Sequence, residues 1–228
     1  MGTVVGIDLA GSERRDTGFC TMDYHMKSSA TVLHSDEEIL DWTLSVKPTV
    51  VSIDAPLFLP KGRKSLEQRG PPHFRECDRE LLRMRIRFFP ISLGPMRMLT
   101  DRGMRIRREL EGEGLEVIES FPGAIQDILG MPRKQGGLSE LEQGLVARGV
   151  KFQGAKRGFT GDELDAVTSA LVGLMYIRGE YRAIGDPEEG LMILPLPPGS
   201  EVPVGAKRPK RSSRPDSRVS KEMSGSRF

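Results

Sequence analysis

Several acidic side chains end or follow short apolar runs, where a charge is costly unless something binds it. Asp8 ends VVGID, Asp54 ends VVSID, and Glu119 lies in LEVIES. Two more carboxylates, Asp162 and Asp165, open the apolar segment GDELDAVTSALVGLM. Carboxylates that converge at one point repel one another, and divalent cations are the usual compensation. The pattern therefore predicts a site for two Mg²⁺ or Mn²⁺ ions and metal-dependent phosphoryl chemistry.

The alternatives to metal binding differ among these carboxylates. Asp8 and Asp54 both precede turns that contain small residues or proline. An aspartate side chain also stabilises such turns, by forming hydrogen bonds to the backbone of the turn. Glu119 is a poor turn former and precedes a strand-to-helix turn whose amides would face a phosphate. Asp162 would favour the dipole of a helix as a first-turn residue, whereas Asp165 lies past that turn on the same helix face. We favour Asp165 as a ligand, with Asp162 as its partner.

Periodicity and caps indicate the elements that position these residues. Apolar or alternating runs predict four early strands, at 3–9, 17–24, 29–34 and 50–54. Ser35 and Glu38 form a capping box for a helix that ends before Pro48. The order β-β-β-α-β predicts an α/β fold with a mixed sheet.

A helical insertion is predicted over about 57–114, because the early pattern is interrupted there. Its helices are expected near 74–87 and 96–110. The later expected elements are a strand at 115–119, helices at 123–129, 138–148 and 160–178, and a short strand at 191–194. We expect residues 1–195 to form one domain and residues 196–228 a basic, disordered tail.

Charge is segregated along the chain, although the net charge is only +2. Residues 61–110 hold 14 Lys and Arg against 6 Asp and Glu, and residues 205–228 hold 8 against 2. An acidic centre beside basic segments favours a nuclease that contacts nucleic acid, DNA or RNA being undecided. Runs of charge are equally often solvated surface.

Four arginines recur every fourth residue and predict a basic stripe along one helix: Arg75, Arg79, Arg83 and Arg87. Like charges at this spacing slightly destabilise an isolated helix, so contact with backbone phosphates is an attractive explanation. Glu76 and Glu80 lie close enough to neutralise part of the stripe, and a solvated face is the alternative.

Several other classes of protein are disfavoured. Cys20 and Cys77 are the only cysteines, without a CxxC motif, which argues against a disulfide scaffold and a zinc site. No apolar run approaches the roughly 18 residues of a membrane span. No signal-peptide pattern precedes the first strand, so we expect a cytoplasmic protein. Neither GxxxxGK[ST] nor GxGxxG occurs.

The motifs also resemble a known superfamily. GIDLAG…TGF is similar to the first-strand motif of RNase H-like proteins, and DELDAVTSAL resembles the late-helix acidic motif of their Holliday-junction-resolvase branch. The ordered set GIDLAGS, SIDAPL, RECDRELLR, VIESFPGA and GDELDAVTSAL resembles the predicted RNase H-fold nucleases known as domain of unknown function 429. These motifs span roughly residues 3–178.

The resemblance implies an RNase H-like mixed sheet with flanking helices and phosphodiester hydrolysis by two metal ions. It implies metal ligands at Asp8, Asp54, Glu119 and Asp165, supported by Asp162. Asp78, with Arg75 and Arg79, would line the site. A junction resolvase would in addition require a homodimer.

Two alternatives stay open. Actin-like ATPases and sugar kinases of the same superfamily hold Mg-nucleotide with strand-end acids, although they usually duplicate the domain and this chain has room for one copy. A non-catalytic nucleic-acid-binding protein would use the carboxylates only for a structural ion. Metal-dependent turnover that Asp8→Asn abolishes would separate a nuclease from the latter.

Overall fold

The computed structural model describes residues 2–154 and 158–200, which form one eight-stranded sheet with helices on both faces. The strands are β1 Thr3–Asp8, β2 Thr17–Asp23, β3 Lys27–Leu33, β4 Val50–Asp54, β5 Val117–Ser120, β6 Lys151–Phe152, β7 Tyr181–Asp186 and β8 Gly190–Pro195. The α-helices are α1 Asp36–Val46, α2 Glu76–Arg83, α3 Gly94–Gly112, α4 Pro122–Leu129, α5 Leu138–Ala147 and α6 Gly161–Arg178. Within the described ranges, no helix is both long and apolar enough to cross a membrane.

The sheet order is β6-β3-β2-β1-β4-β5-β8-β7. β1 runs parallel to β4, and β4 parallel to β5, whereas β2 is antiparallel to both β1 and β3. The predicted α/β fold, a mixed sheet with flanking helices, is confirmed. Because β1, β4 and β5 are parallel and adjacent, their carboxyl ends meet at one edge of the sheet.

Side chains of the central strands alternate between two hydrophobic layers. Val4 and Val50 belong to the layer under α6, while Ile7 and Ile53 belong to the opposite layer, beneath α1 and α3. Both faces of these strands are buried, which explains why β1 and β4 read as nearly continuous apolar runs. A residue's place in this alternation decides which layer it faces.

Glycine lets α6 lie unusually close to β1 and β2. A Cβ atom at Gly6 would come within 2.2 Å of the Ala166 carbonyl oxygen, and one at Gly18 within 1.9 Å of the Asp162 carbonyl oxygen. Either distance is far inside van der Waals contact, so any side chain there would push the helix away. The amino-terminal turn of α6 is thereby held against the end of β1.

Both predicted capping boxes are present. The Ser35 hydroxyl accepts a hydrogen bond from the Glu38 N–H at the start of α1, and Thr160 accepts one from Glu163 at the start of α6. Each glutamate in turn accepts from the backbone N–H of its capping residue. These local signals explain why the starts of both helices could be located from sequence.

One predicted helix is shorter than expected, and two strands were not predicted. The helix predicted over 74–87 runs only from Glu76 to Arg83, because the chain turns through a positive φ of 61° at Arg85. β7 and the two-residue β6 were not predicted; β7 forms a hairpin with β8 across the turn 187–189. The expected tail lies mostly outside the described residues, which end at 200.

Candidate functional site

Asp8 and Asp54 lie side by side at the edge where the parallel strands end. They are direct partners in the β1–β4 ladder, and both face α6. Ser120 on β5 is the ladder partner of Asp54. Its hydroxyl forms a hydrogen bond of 3.2 Å with the hydroxyl of Ser169 on α6. Residues in register on one face have neighbouring side chains, so the two aspartates predicted from separate strands share one site.

Helix α6 adds two more carboxylates to this site. Asp162 is partly exposed, whereas Asp165 is buried and accepts a hydrogen bond at 2.7 Å from the Gln126 side-chain amide. Gln126 comes from α4, is itself buried, and also donates to Thr168. The amide thus fixes one oxygen of Asp165 while the other stays directed at the site.

Lys134, which the sequence did not single out, lies among these carboxylates. Its Nζ is 2.9 Å from Asp162 Oδ1, 2.9 Å from Asp165 Oδ2 and 3.4 Å from Asp8 Oδ2. The lysine belongs to a short 3₁₀ turn, Lys134–Gly136, between α4 and α5. No local pattern marks it, because its role depends on a turn folding back over a site made from distant strands.

The electrostatics of the site show an excess of negative charge. Burial raises the pKa of Asp8 to about 7, and the charges of Asp165 and Asp162 act in the same direction against the attraction of Lys134. Burial also raises the pKa of Asp54 well above its ordinary value, with the charges of Asp8 and Asp165 adding to the effect. Burial lowers the pKa of Lys134, but attraction to Asp8 and Asp165 outweighs it and raises the pKa overall. One ammonium does not neutralise these carboxylates.

The chemistry of the donors fits a divalent cation. Carboxylate oxygens are the preferred ligands of Mg²⁺ and Mn²⁺, and Asp8 and Asp54 would lose much of their mutual repulsion if they shared one. Among the described residues, however, no three His, Cys, Asp or Glu side chains already converge closely enough to hold a metal ion. The Lys134 ammonium occupies the space where Asp8, Asp162 and Asp165 approach one another.

Glu119 lies beside the site but faces the other layer of the sheet. Its partner in the β4–β5 ladder is Ile53, whose side chain packs in the layer beneath α1 and α3. Glu119 Oε2 accepts hydrogen bonds from the Arg75 guanidinium at 2.7 Å and from the Leu57 N–H at 2.8 Å. Burial raises the pKa of Glu119, although Arg75 acts to lower it. The charge of Glu119 still acts on Asp54, since it helps to raise the pKa of that group.

Arg75 is the centre of a buried ion network instead of part of a surface stripe. Its guanidinium binds both oxygens of Asp78, at 2.9 and 3.2 Å, as well as Glu119. All three side chains are buried. Asp78 also accepts from the Arg75 N–H and thereby begins α2. The motif RECDRELLR thus connects the insertion to the sheet.

The predicted arginine stripe does not form, because only two of its members lie on α2. Arg79 and Arg83 are exposed, and each pairs with Glu76. Arg87 is exposed beyond the end of the helix. Less of the positive charge of the basic segment lies at the surface than the residue count suggests. Four of its arginines are buried: Arg63, Arg75, Arg102 and Arg107.

Arg102 is a second residue that sequence reasoning missed. Its buried guanidinium donates to the carbonyl oxygens of Ala10 and His34 and pairs with Asp36 at 2.6 Å. These contacts tie α3 to the loop that follows Asp8 and to the start of α1. A single arginine therefore holds three segments of chain around the end of β1.

Comparison with known proteins finds similarity to solved structures at low sequence identity. No protein-family model matches this chain, and no curated protein matches it by sequence. Two solved structures of RuvC from Thermus thermophilus are similar to this chain. The first is RuvC in complex with a Holliday junction substrate (13% identity, TM-score 0.45), and the second is described as the RuvC structure (12% identity, TM-score 0.44). Each match covers 78% of this chain and 96% of the RuvC chain. The resemblance to domain of unknown function 429 stays a prediction.

Proposed function

We propose that this protein is a nuclease that hydrolyses phosphodiester bonds with the help of a divalent metal ion. The observation that carries the proposal is the register of Asp8 and Asp54, which sets two half-buried carboxylates side by side at the ends of adjacent parallel strands. Burial and like charge raise the pKa of both groups, so a cation at this place would relieve a large electrostatic cost.

Asp8 and Asp54 are the proposed metal ligands, and Asp162 and Asp165 line the same centre. A divalent ion bound there would lower the pKa of a coordinated water and polarise the phosphate. In hydrolysis the water oxygen forms a bond to phosphorus, the bond from phosphorus to the leaving oxygen breaks, and that oxygen takes up a proton. The chain's own part is to hold Asp8 and Asp54 in place and to fix Asp165 through Gln126.

Nucleic acid, either DNA or RNA, is the proposed substrate class. Exposed arginines of the insertion offer contacts to backbone phosphates, among them Arg83, Arg85, Arg87 and Arg97. Such contacts release counterions, so binding should weaken steeply as the salt concentration rises. The exposed arginines would hold the strand, while the buried ones maintain the fold.

Cleavage assays test the proposal directly. Purified protein is incubated with labelled single-stranded, duplex and four-way-junction DNA and RNA, in Mn²⁺ or in EDTA. We expect cleavage in Mn²⁺ that EDTA and Asp8→Asn abolish, and that Asp41→Asn, on an exposed face of α1, leaves intact. Salt-sensitive binding without cleavage would instead support a nucleic-acid-binding protein. If the protein neither cleaves nor binds these substrates, both interpretations are wrong.

A further inference from the structure

The oxygens around Lys134 are already engaged. Asp165 uses Oδ1 to accept from Gln126 and Oδ2 to pair with Lys134, and Asp162 Oδ1 pairs with the same ammonium. Asp8 contributes only Oδ2, at the longer distance of 3.4 Å. In the described part of the chain, no hydrogen bond reaches Asp8 Oδ1 or the Asp54 carboxylate, and Asp54 is outside ion-pair distance of Lys134.

Asp8 therefore lies between two unlike environments. On the α6 side an ammonium is bound by three carboxylates. On the β4 side the Asp54 carboxylate forms no ion pair among the described residues, and the charge of Lys134 acts on it only from a longer distance. A cation that approached the α6 side would meet a positive charge about 3 Å from the oxygens it needs, and like charges at that range repel strongly. The Asp54 carboxylate lies farther from this charge, beyond ion-pair distance, so the β4 side opposes a cation less.

The position of Lys134 is determined by packing as well as by charge. Gly161, the first residue of α6, lies under the lysine stem, and a Cβ atom there would be 2.9 Å from Lys134 Cδ. The preceding residue, Arg133, is anchored by two hydrogen bonds to Asp127, at 2.6 and 3.0 Å. The position of the ammonium is thus fixed by the contact of its stem with Gly161 and by the hydrogen bonds of the preceding residue, Arg133, to Asp127.

We propose that this chain binds one divalent ion, through Asp8 and Asp54, and that the Lys134 ammonium takes the place of the second cation expected from the acidic pattern. The proposal rests on the proposed metal-dependent function and deepens it. It changes the composition of the site from two ions to one ion and one lysine, with Asp162 and Asp165 acting as partners of that lysine.

Counting bound Mn²⁺ tests the proposal without any measurement of activity. Free Mn²⁺ is followed by electron paramagnetic resonance while the metal-free protein is titrated. We expect one ion per wild-type chain and two per chain in Lys134→Met, which keeps the stem but removes the charge. Lys64→Met, at an exposed lysine of the insertion, should bind one ion like the wild type.

Gly161→Ala provides a second route, since it leaves the charge of Lys134 in place but displaces its stem. We expect this variant to bind a second Mn²⁺ more weakly than Lys134→Met does and more tightly than the wild type. If Lys134→Met fails to fold, the wild-type count and Gly161→Ala still decide the matter.

The outcomes separate this inference from the proposed function. Two ions per wild-type chain, together with cleavage that needs metal, would overturn the lysine's role and leave the nuclease proposal standing. An unchanged count of one in both Lys134→Met and Gly161→Ala would also overturn it. No bound Mn²⁺ in any variant, with no metal-dependent cleavage, would overturn both.

Discussion

Gly18 on β2 accommodates the main-chain carbonyl of Asp162 on α6: a Cβ atom there would lie 1.9 Å from that carbonyl oxygen. Gly18 is also the ladder partner of Asp8. The absence of a side chain at this one position therefore brings the carboxylates of α6 within reach of β1. A close approach of two backbones is one of the few things that glycine alone permits.

Gly18→Ala should destabilise the protein, because the methyl group forces the first turn of α6 away from the sheet. We expect a loss of about 2–4 kcal/mol in the free energy of unfolding, at the upper end of overpacking effects. Gly112→Ala is the control, since Gly112 ends α3 with open space around it. Thermal or denaturant unfolding of both variants provides the measurement, and equal losses would contradict the packing argument.

Asp8→Asn should stabilise the metal-free protein, and more so at high pH. The pKa of Asp8 is about 7 in the folded chain against an ordinary 3.8, so the folded state holds a proton that the unfolded state has lost between these values. Stability therefore falls as pH rises through this window, by at most about 4 kcal/mol. Asparagine removes the titrating group and with it this fall.

Melting temperatures in EDTA at about pH 5 and about pH 8 check the sign of this effect. The advantage of Asp8→Asn over the wild type should be larger at the higher pH. Asp41→Asn, at an exposed position, should show no such trend. A difference that is constant across the two conditions would show that the Asp8 carboxylate does not titrate in this range.

Arg75→Met should be among the most destabilising single changes. It leaves Asp78 and Glu119 as buried carboxylates without their guanidinium, and breaking one partner of a buried pair costs about 3–5 kcal/mol. Arg79→Met is the matched control, because Arg79 pairs with Glu76 at the exposed surface, where such a pair contributes little to stability. Urea unfolding compares the two, and similar losses would refute the distinction between the buried and the exposed arginine.

Gln126→Leu should destabilise the protein and slow cleavage, because it leaves the buried Asp165 Oδ1 without its hydrogen-bond donor. The expected loss of stability is about 1–3 kcal/mol, the cost of an unsatisfied buried polar group. Gln143→Leu, an exposed residue of α5, should be close to neutral. If Gln126→Leu unfolds like the wild type, the amide does not hold Asp165.

What could be predicted from the sequence is what depends on neighbours along the chain. The capping boxes at Ser35 and Thr160 fixed the starts of two helices, because their hydrogen bonds span only three residues. The apolar runs that end at Asp8 and Asp54 indicated buried strands with acidic ends. The β-β-β-α-β order then determined the class of fold.

What could not be predicted depends on register and on contacts between distant segments. The ladder places Glu119 one residue before the position level with Asp54, so its side chain faces the opposite layer, and a motif read along one strand does not reveal this offset. Lys134 lies in a polar turn that resembles any other exposed loop until the turn is folded over the site. Four-residue spacing suggested a helical stripe at Arg75, but α2 begins only after that residue.

The network of Arg75 and Glu119 means that the helical insertion is not a removable module. Both hydrogen-bond donors to Glu119 Oε2, the guanidinium of Arg75 and the N–H of Leu57, come from the segment between β4 and β5. A shortened chain that joined β4 directly to β5 would leave the buried Glu119 carboxylate without these two hydrogen-bond donors. Glu119 and the insertion therefore depend on each other in the folded chain, and neither can be removed alone without leaving buried polar groups unpaired.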